Sequence, residues 1–358
     1  MLFVELLQVA LNNRSCLSVV PTDEEWNELF SLAEKQTLIG IVFLGIQRLP
    51  KSQQPTKKML VRWYMLSEKI KKKSTEAYAL AASVVEKFRE EGFRSVILKG
   101  QGMAMLYADG DYRMSGDIDI WLEGSRHKIV NYVRSFIPHS EAVYHHIEFP
   151  IVREVEIEVH FTPSWMNSPI TNARLQRFFR HVAEQQFEHS ISVPSGQGEI
   201  PVPTLAFNRI FILVHIYRHL FHEGIGLRQL LDYYYVLRAG FSEEERKQTL
   251  YVLKQLKMIR FTSAVMYVMR EVFALEENYL LVSPDEKEGA FLLDEIMSAG
   301  NMGKYDERLN RDGNVKDWQW GIKKMQRNTK FLISYPSEVL WSPIFKLWHW
   351  GWRMWWNR

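Results

Sequence analysis

Cysteine occurs once in the 358 residues, as Cys16. A single thiol can form no internal disulfide and no thiolate zinc site, so other side chains must hold the fold and any metal. Long apolar runs are missing as well. None approaches the roughly 20 residues a membrane-spanning helix needs, and a soluble chain is expected. The first residues, M-L-F-V-E-L-L-Q-V-A-L, have no basic leader and carry Glu5 within the apolar stretch. That does not fit a secretory signal, and the cytoplasm is the expected compartment. Strong charge of either sign is lacking too. A net charge of +3 gives no signal for wholesale nucleic-acid binding, and the run Lys71-Lys72-Lys73 reads as a solvated helix face. Repeats and low-complexity tracts are absent.

What is present is an ordinary globular composition, 46% hydrophobic and 24% charged. The length exceeds the roughly 250 residues at which single cores usually stop growing, so more than one domain is expected. Residues 1–90 form an N-terminal helical region, since Trp26, Leu29, Phe30 and Ala33 recur at helical spacing. Residues 91–203 form an α/β core. There S-V-I-L, D-I-D-I-W-L, H-H-I-E-F-P-I and V-E-I-E-V-H-F are short, β-branched and partly alternating, and read as strands of one small sheet. A short helix lies between the first two, a longer one spans Ser125 to Ile137, and a hairpin is expected around Pro194 to Gly198. Residues 204–335 form a helical domain, with Gly224 and Gly226 marking a break between helices and a loop near Gly300 to Tyr305. Residues 336–358 form a helical tail rich in tryptophan. The fold class is α+β: a small mixed sheet flanked by N-terminal and C-terminal helical regions.

Within that sheet the stretch R-M-S-G-D-I-D-I-W-L places two carboxylates in an apolar run. Residues two apart on a strand project to one side, so Asp117 and Asp119 point together while Ile118 and Ile120 point away. Side by side in a partly buried site they repel, and a cation is required to keep both charged. Mg²⁺ is the natural candidate, because it prefers carboxylate oxygens and is often completed by substrate phosphates. On the same reasoning, Asp119→Asn should relieve repulsion and raise the melting temperature of the metal-free protein. The strand V-E-I-E-V-H-F offers a third acid, Glu156 or Glu158, on one face with His160.

The runs L-K-G-Q-G-M-A-M-L-Y, Y-R-M-S-G-D-I-D-I-W-L, H-H-I-E-F-P and I-E-V-H-F, followed by V-H-I-Y-R-H-L-F-H-E-G-I-G-L-R-Q-L-L-D, resemble in order and spacing the motifs of an uncharacterised bacterial nucleotidyltransferase family of the polymerase-β-like superfamily. The resemblance implies a mixed sheet, a strand-turn-helix phosphate motif and three metal-binding acids. It matches Asp117 and Asp119 to the paired acids and Glu158, directly before Val159-His160, to the third. The sequence departs at the turn. The superfamily usually has Gly-Gly-Ser or Gly-Ser there, whereas this chain has Lys99-Gly100-Gln101-Gly102, with no serine to touch a phosphate.

The implied activity is transfer of a nucleoside monophosphate from an NTP to an acceptor hydroxyl or phosphate, with release of pyrophosphate. Two Mg²⁺ ions would be used, with Mn²⁺ as an alternative. Gly100 and Gly102 would present backbone N–H groups to a phosphate, and Lys99 or Arg113 would add charge. Arg113 could instead orient Asp117 or Asp119. Arg228 and Asp232 stand four apart, as an intrahelical ion pair or with Arg228 facing the cleft toward nucleotide. His145 and His146, and His215, His219 and His222, could ligate metal, though structural roles suit them better. Two rivals stand beside this reading: a glycosyltransferase holding a metal-bound nucleotide sugar, and a catalytically silent relative that binds nucleotide or a partner. In the tail, Trp341, Ile344, Phe345, Trp348, Trp352 and Trp355 form one apolar stripe, which leaves Trp350, Met354 and Trp356 off it. Trp350 and Trp356 are expected to stay exposed and, with Lys346, Arg353 and Arg358, to meet a partner chain or an anionic membrane surface.

Overall fold

The computed structural model describes residues 1–152, 155–193, 198–306, 308 and 317–357. The N-terminal helices are α1 (Leu2–Ala10), α2 (Asp23–Lys35), α3 (Ile39–Arg48) and α4 (Lys57–Glu90). Helix α2 starts at a capping box, with Thr22 Oγ1 accepting from the Glu25 N–H and the Glu25 carboxylate accepting from the Thr22 N–H. Helix α4 is 34 residues long and joins two cores. Trp63 and Ile70 lie in one, and Tyr78, Ala81, Val84 and Phe88 lie in the other, beneath the sheet.

The sheet contains β1 (Ser95–Ile97), β2 (Ile118–Leu122), β3 (His146–Val152) and β4 (Val155–His160), in the order β1-β2-β4-β3. β2 and β4 are parallel, and the other two pairings are antiparallel. All four expected strands are present in one mixed sheet. Ile118, Ile120, Ile157 and Val159 are buried on the face toward α4 and α6 (Arg126–Arg134), and the alternate positions point to the opposite face. The turn after β1 leads into α5 (Gln101–Ala104), a single helical turn. A 20-residue helix, α7 (Pro169–Glu188), follows the sheet. Strands β5 (Ser190–Ser192) and β6 (Glu199–Pro201) then pair antiparallel. They bracket the hairpin expected near Pro194, whose turn, 194–197, lies outside the described residues.

The C-terminal helices are α8 (Leu205–His222), α9 (Leu227–Arg238), α10 (Glu243–Gln255), α11 (Ile259–Phe273), α12 (Glu286–Ala299), α13 (Asp317–Asn328) and α14 (Pro336–Trp356). Leu6, Leu7, Val42 and Phe43 share one core with Leu230, Leu231, Val265 and Met269, so helices from both ends of the chain bury one another. The expected break between α8 and α9 is present. Gly224 has φ +116°, and a Cβ there would lie 2.9 Å from Gly303 Cα. The α8 C-terminus is capped from α13, where Arg327 donates to the carbonyls of Leu220 and Glu223 and Asn328 donates to that of Phe221. Among the described residues, no helix is long and apolar enough to cross a membrane.

The tail packs on its own chain with a different face from the one expected. Phe345, His349, Trp352 and Trp356 turn inward: Phe345 meets Tyr144 at 4.9 Å between ring centroids, and the Arg126 guanidinium lies over the rings of Trp352 and Trp356 at 5.0 and 5.4 Å. Asn357 pins the end, accepting from Arg134 and the Ala142 N–H and donating to the Ala142 carbonyl. Trp356 is therefore docked, and Ile344, Trp348 and Trp355 of the expected stripe are exposed together with Leu347, Trp350 and Met354. Both faces are apolar, so spacing alone could not choose between them. The polar anchors at the two ends and the cation under the indoles set the rotation. Of the basic residues, Arg353 pairs with Glu141, Lys346 faces a cavity, and Arg358 lies outside the described residues. Trp356→Ala should lower unfolding stability by roughly 1–3 kcal/mol, and Trp350→Ala should change it by less than about 0.5 kcal/mol. Equal effects in thermal or urea unfolding would contradict this docking.

Candidate functional site

Strand register assembles the site. Asp119 on β2 stands opposite Glu158 on β4, and His160, two residues beyond Glu158, stands opposite His146 on β3. Four polar side chains from three strands thus share the face opposite the apolar core. Asp119 is 2% exposed. Its Oδ1 lies 3.0 Å from His160 Nε2, and its Oδ2 lies 2.9 Å from Lys99 Nζ. Lys99 also reaches Asp117 Oδ2, at 3.9 Å. Glu158 Oε2 lies 3.3 Å from His160 Nε2 and 3.4 Å from His146 Nδ1. Glu156, the other acid of that strand, is exposed and stands outside this group.

The carboxylates thus have resident counter-charges. Burial raises the Asp119 carboxyl, but Lys99 and His160 outweigh it and hold the group below its ordinary value. Burial likewise opposes ionisation of Glu158, yet the hydrogen bond to His160 and the nearby His146 bring it down to about 2. Burial disfavours the charged forms of His160 and Lys99, but the adjacent carboxylates more than compensate and raise both. His146 goes the other way. Burial lowers it to about 4 despite Glu158, so it is neutral at physiological pH.

Part of this group lines a cavity of about 370 Å³, with Asp119 and His160 buried behind it. Lys99, Asp117, His146 and Glu158 come from the sheet side, Arg218, His219 and His222 from α8, and Phe345, Lys346 and His349 from the tail. Arg218 stacks on Trp165, its guanidinium 3.8 Å from the ring centroid, and contacts His145 Nε2 at 3.3 Å and His219 Nε2 at 2.9 Å. Neither Arg218 nor Lys346 forms an ion pair with a carboxylate among the described residues, and burial lowers the pKa of each. A larger cleft of about 580 Å³, lined by Phe178, Phe207 and Ile210, holds none of the three acids.

The remaining expected residues are spread over several roles. Gly100 has φ +64°, a conformation that suits glycine at the turn after β1. A Cβ on Gly102 would lie 3.0 Å from Val202 Cγ1, so this glycine permits close packing on the chain beyond β6. Arg113 does not orient Asp117 or Asp119. It makes a buried two-point pair with Asp232, Nε to Oδ1 and Nη2 to Oδ2, each 2.7 Å, and the Tyr107 hydroxyl donates to the same carboxylate. Asp232 is thereby taken from Arg228, and the expected intrahelical pair gives way to a link between α9 and the segment before β2. Arg228 donates instead to the Met114 carbonyl at 2.9 Å and lies beside Gly116, which braces the approach to Asp117. Among the described residues, the groups spaced to share one ion are His145-His146-His160 and Asp119-Glu158-His160, and His215, His219 and His222 do not form one. Sequence reading passed over Trp165, Arg218 and His349, and gave Lys346 to a partner or membrane surface rather than to this cavity. The signal for Arg218 was an arginine set among His215, His219 and His222 in a helix apolar on most sides.

The model of a family described as uncharacterised nucleotidyltransferase matches residues 22–274. The chain belongs to that family. The match contains Lys99, the three acids, the sheet histidines and Arg218, whereas the tail wall, with Lys346 and His349, follows it. No curated protein matches the sequence. Among solved structures, an antigenic nucleotidyltransferase-like protein from Paracoccidioides brasiliensis is similar at 11% identity and a TM-score of 0.32, over 55% of this chain and 96% of that one. The expected α+β architecture, a small mixed sheet with helical flanks, is the one observed.

Proposed function

We propose that this family member is a nucleotidyltransferase that moves a nucleoside monophosphate from an NTP to an acceptor hydroxyl or phosphate and releases pyrophosphate. One observation carries the reading: an acidic wall faces a basic wall across one cavity. Asp117 and Glu158 stand on one side with Asp119 buried directly behind them, and Arg218 and Lys346, cations with no carboxylate paired to them among the described residues, on the other. A metal-bound polyphosphate has both kinds of charge to match. The oxygen donors suit Mg²⁺, or Mn²⁺ in its place, and Asp119 and Glu158 offer ligand atoms close enough to share an ion. When bound, the ions would activate the acceptor oxygen and offset charge on the leaving pyrophosphate.

The chain's own residues have separable tasks. Lys99 keeps Asp119 charged and holds Asp117 and Asp119 adjacent through ion pairs to both. Arg218 and Lys346 attract the phosphates, a role the turn after β1 cannot fill with a serine. Arg228 and the Arg113–Asp232 pair hold the segment that carries Asp117. In the reaction the acceptor oxygen bonds to the α-phosphorus, the bond from that phosphorus to the bridging oxygen breaks, and the acceptor proton is released.

Incubating the full chain with each labelled NTP and Mg²⁺, with and without candidate acceptors, tests the reading. Pyrophosphate release is expected, and its absence with every NTP would defeat the proposal. Arg218→Gln and Lys346→Gln should each raise KM for the NTP about tenfold, the value of one charge-assisted hydrogen bond, with a smaller change in kcat. Unchanged KM in both variants would remove the basic wall from nucleotide binding.

A further inference from the structure

Helix α4 has two unlike halves. Its later half packs beneath the sheet through Tyr78, Ala81, Val84 and Phe88, whereas from Lys57 to Lys73 one side is buried through Trp63, Ser67 and Ile70 and the other is open to solvent. In this earlier stretch seven residues are Lys or Arg, all exposed, and one, Glu68, is acidic, so it carries +6 in a chain whose net charge is +3. The run Lys71-Lys72-Lys73 is therefore the end of a longer basic face. Lys58, Arg62, Lys69, Lys72 and Lys73 fall within about 100° of arc, opposite the buried side, along about 22 Å of helix. Lys72 reaches Glu76 at 4.0 Å, and the other six cations have no carboxylate partner among the described residues. Arg62 and Lys71 lie over the rings of Phe30 and Tyr112, 3.7 and 5.6 Å from the centroids, contacts that do not neutralise them. Like charges four apart, Lys58 with Arg62 and Lys69 with Lys73, repel along the helix, so this face is not built for helix stability. Among the cations stand Val61, Tyr64 and Met65, 48%, 52% and 66% exposed.

We propose that this face of α4 binds single-stranded nucleic acid. A row of unpaired cations offers counter-charges to successive phosphates, and an exposed aromatic ring among them offers a stacking surface to a base. Together they suit a single strand held without regard to its sequence. An anionic membrane would meet the same charge. The side of α4 opposite the cations, with Trp63 and Ile70, is buried in the protein core, however, and leaves no apolar stripe to insert between lipids. Glu68 accepts a hydrogen bond from the Tyr112 hydroxyl, which sets the face beside the segment that leads to Asp117. The binding itself does not rest on the transfer reading.

Fluorescence anisotropy of a labelled RNA of about 15 nucleotides and mixed sequence, titrated with the full chain at several salt concentrations without Mg²⁺ or NTP, tests the proposal. With about four cations on phosphates, the logarithm of the affinity should fall with the logarithm of salt at a slope of about −3. Replacing Lys69→Gln and Lys73→Gln together should weaken binding at least about threefold at low salt and flatten the slope by about 1.4. Tyr64→Ala should weaken it about fivefold or more, the value of one stacked base, and Lys254→Gln, on α10, should leave it within about twofold. Circular dichroism checks each fold, and all four side chains are exposed. No binding at low salt, or wild-type affinity in the folded double variant or in Tyr64→Ala, overturns the proposal. Vesicles of anionic lipid bound through the same lysines, with RNA left unbound, would overturn it too and assign the face to a membrane. A chain that binds RNA as described but releases no pyrophosphate keeps this surface and loses the transfer reading.

Discussion

Asp117→Asn is expected to abolish nucleotidyl transfer, by at least about 10³-fold, with almost no change in thermal unfolding. The loss follows from removing a charged oxygen ligand where charge develops, and single groups of that kind commonly contribute about 10²–10³ or more. The small stability change follows from the structure. The Asp117 side chain is 39% exposed and its ion pair with Lys99 is long at 3.9 Å, an interaction worth about 0–1 kcal/mol. Asp119→Asn should lose as much activity and behave differently on heating. Asp119 is buried between Lys99 and His160, and deleting one member of a buried charged cluster costs roughly 3–5 kcal/mol. The melting temperature should therefore fall. Relief of repulsion between neighbouring aspartates suggested a rise, but that argument left out the lysine and the histidine that already compensate them. Asp117→Asn is thus the cleaner probe of chemistry. If it turns over NTP at the wild-type rate, Asp117 has no part in the reaction.

The pattern of the chain made the scaffold of this site readable. Alternation placed Asp117 and Asp119 on one face, β-branched runs gave the four strands, and the order of motifs favoured Glu158, which lines the cavity, over the exposed Glu156. The registers that bring Asp119 opposite Glu158 and His146 opposite His160 were not readable, because they depend on which strands become neighbours. Side-chain partners chosen over long separations were missed for the same reason. Arg113 and Asp232 are 119 residues apart, and helical spacing offered Asp232 a nearer but unused partner in Arg228. The tail shows another limit. Its two apolar faces look alike in a helical projection, and the docked one is held by residues far away in sequence, among them Arg126, Arg134 and Tyr144.

Glu338 gives that docking an expected pH dependence. It sits in the first turn of α14, 3% exposed, and accepts a hydrogen bond from the Asn167 N–H at 2.8 Å. Burial raises its carboxyl to about 7, against the backbone N–H groups of Asn167 and Ser168, which favour the ion. Because the folded value lies above the unfolded one, the folded state binds the proton more tightly. This group's contribution is full below about pH 4.5 and is lost as pH rises through about 7. At pH 8 the ionised carboxylate should cost on the order of 3 kcal/mol, since each tenfold gain in proton affinity on folding corresponds to about 1.4 kcal/mol. Glu338→Gln keeps the acceptor oxygen and removes the charge. The buried histidines, which burial lowers, titrate in both proteins, so they drop out of the difference between variant and wild type. That difference should be near constant below about pH 4.5, rise in the variant's favour up to about pH 7, and then level off. Urea unfolding followed by tryptophan fluorescence from about pH 4 to 8.5 measures it. A flat difference across the whole range would mean that Glu338 is hydrated when folded and that the tail is not anchored through it.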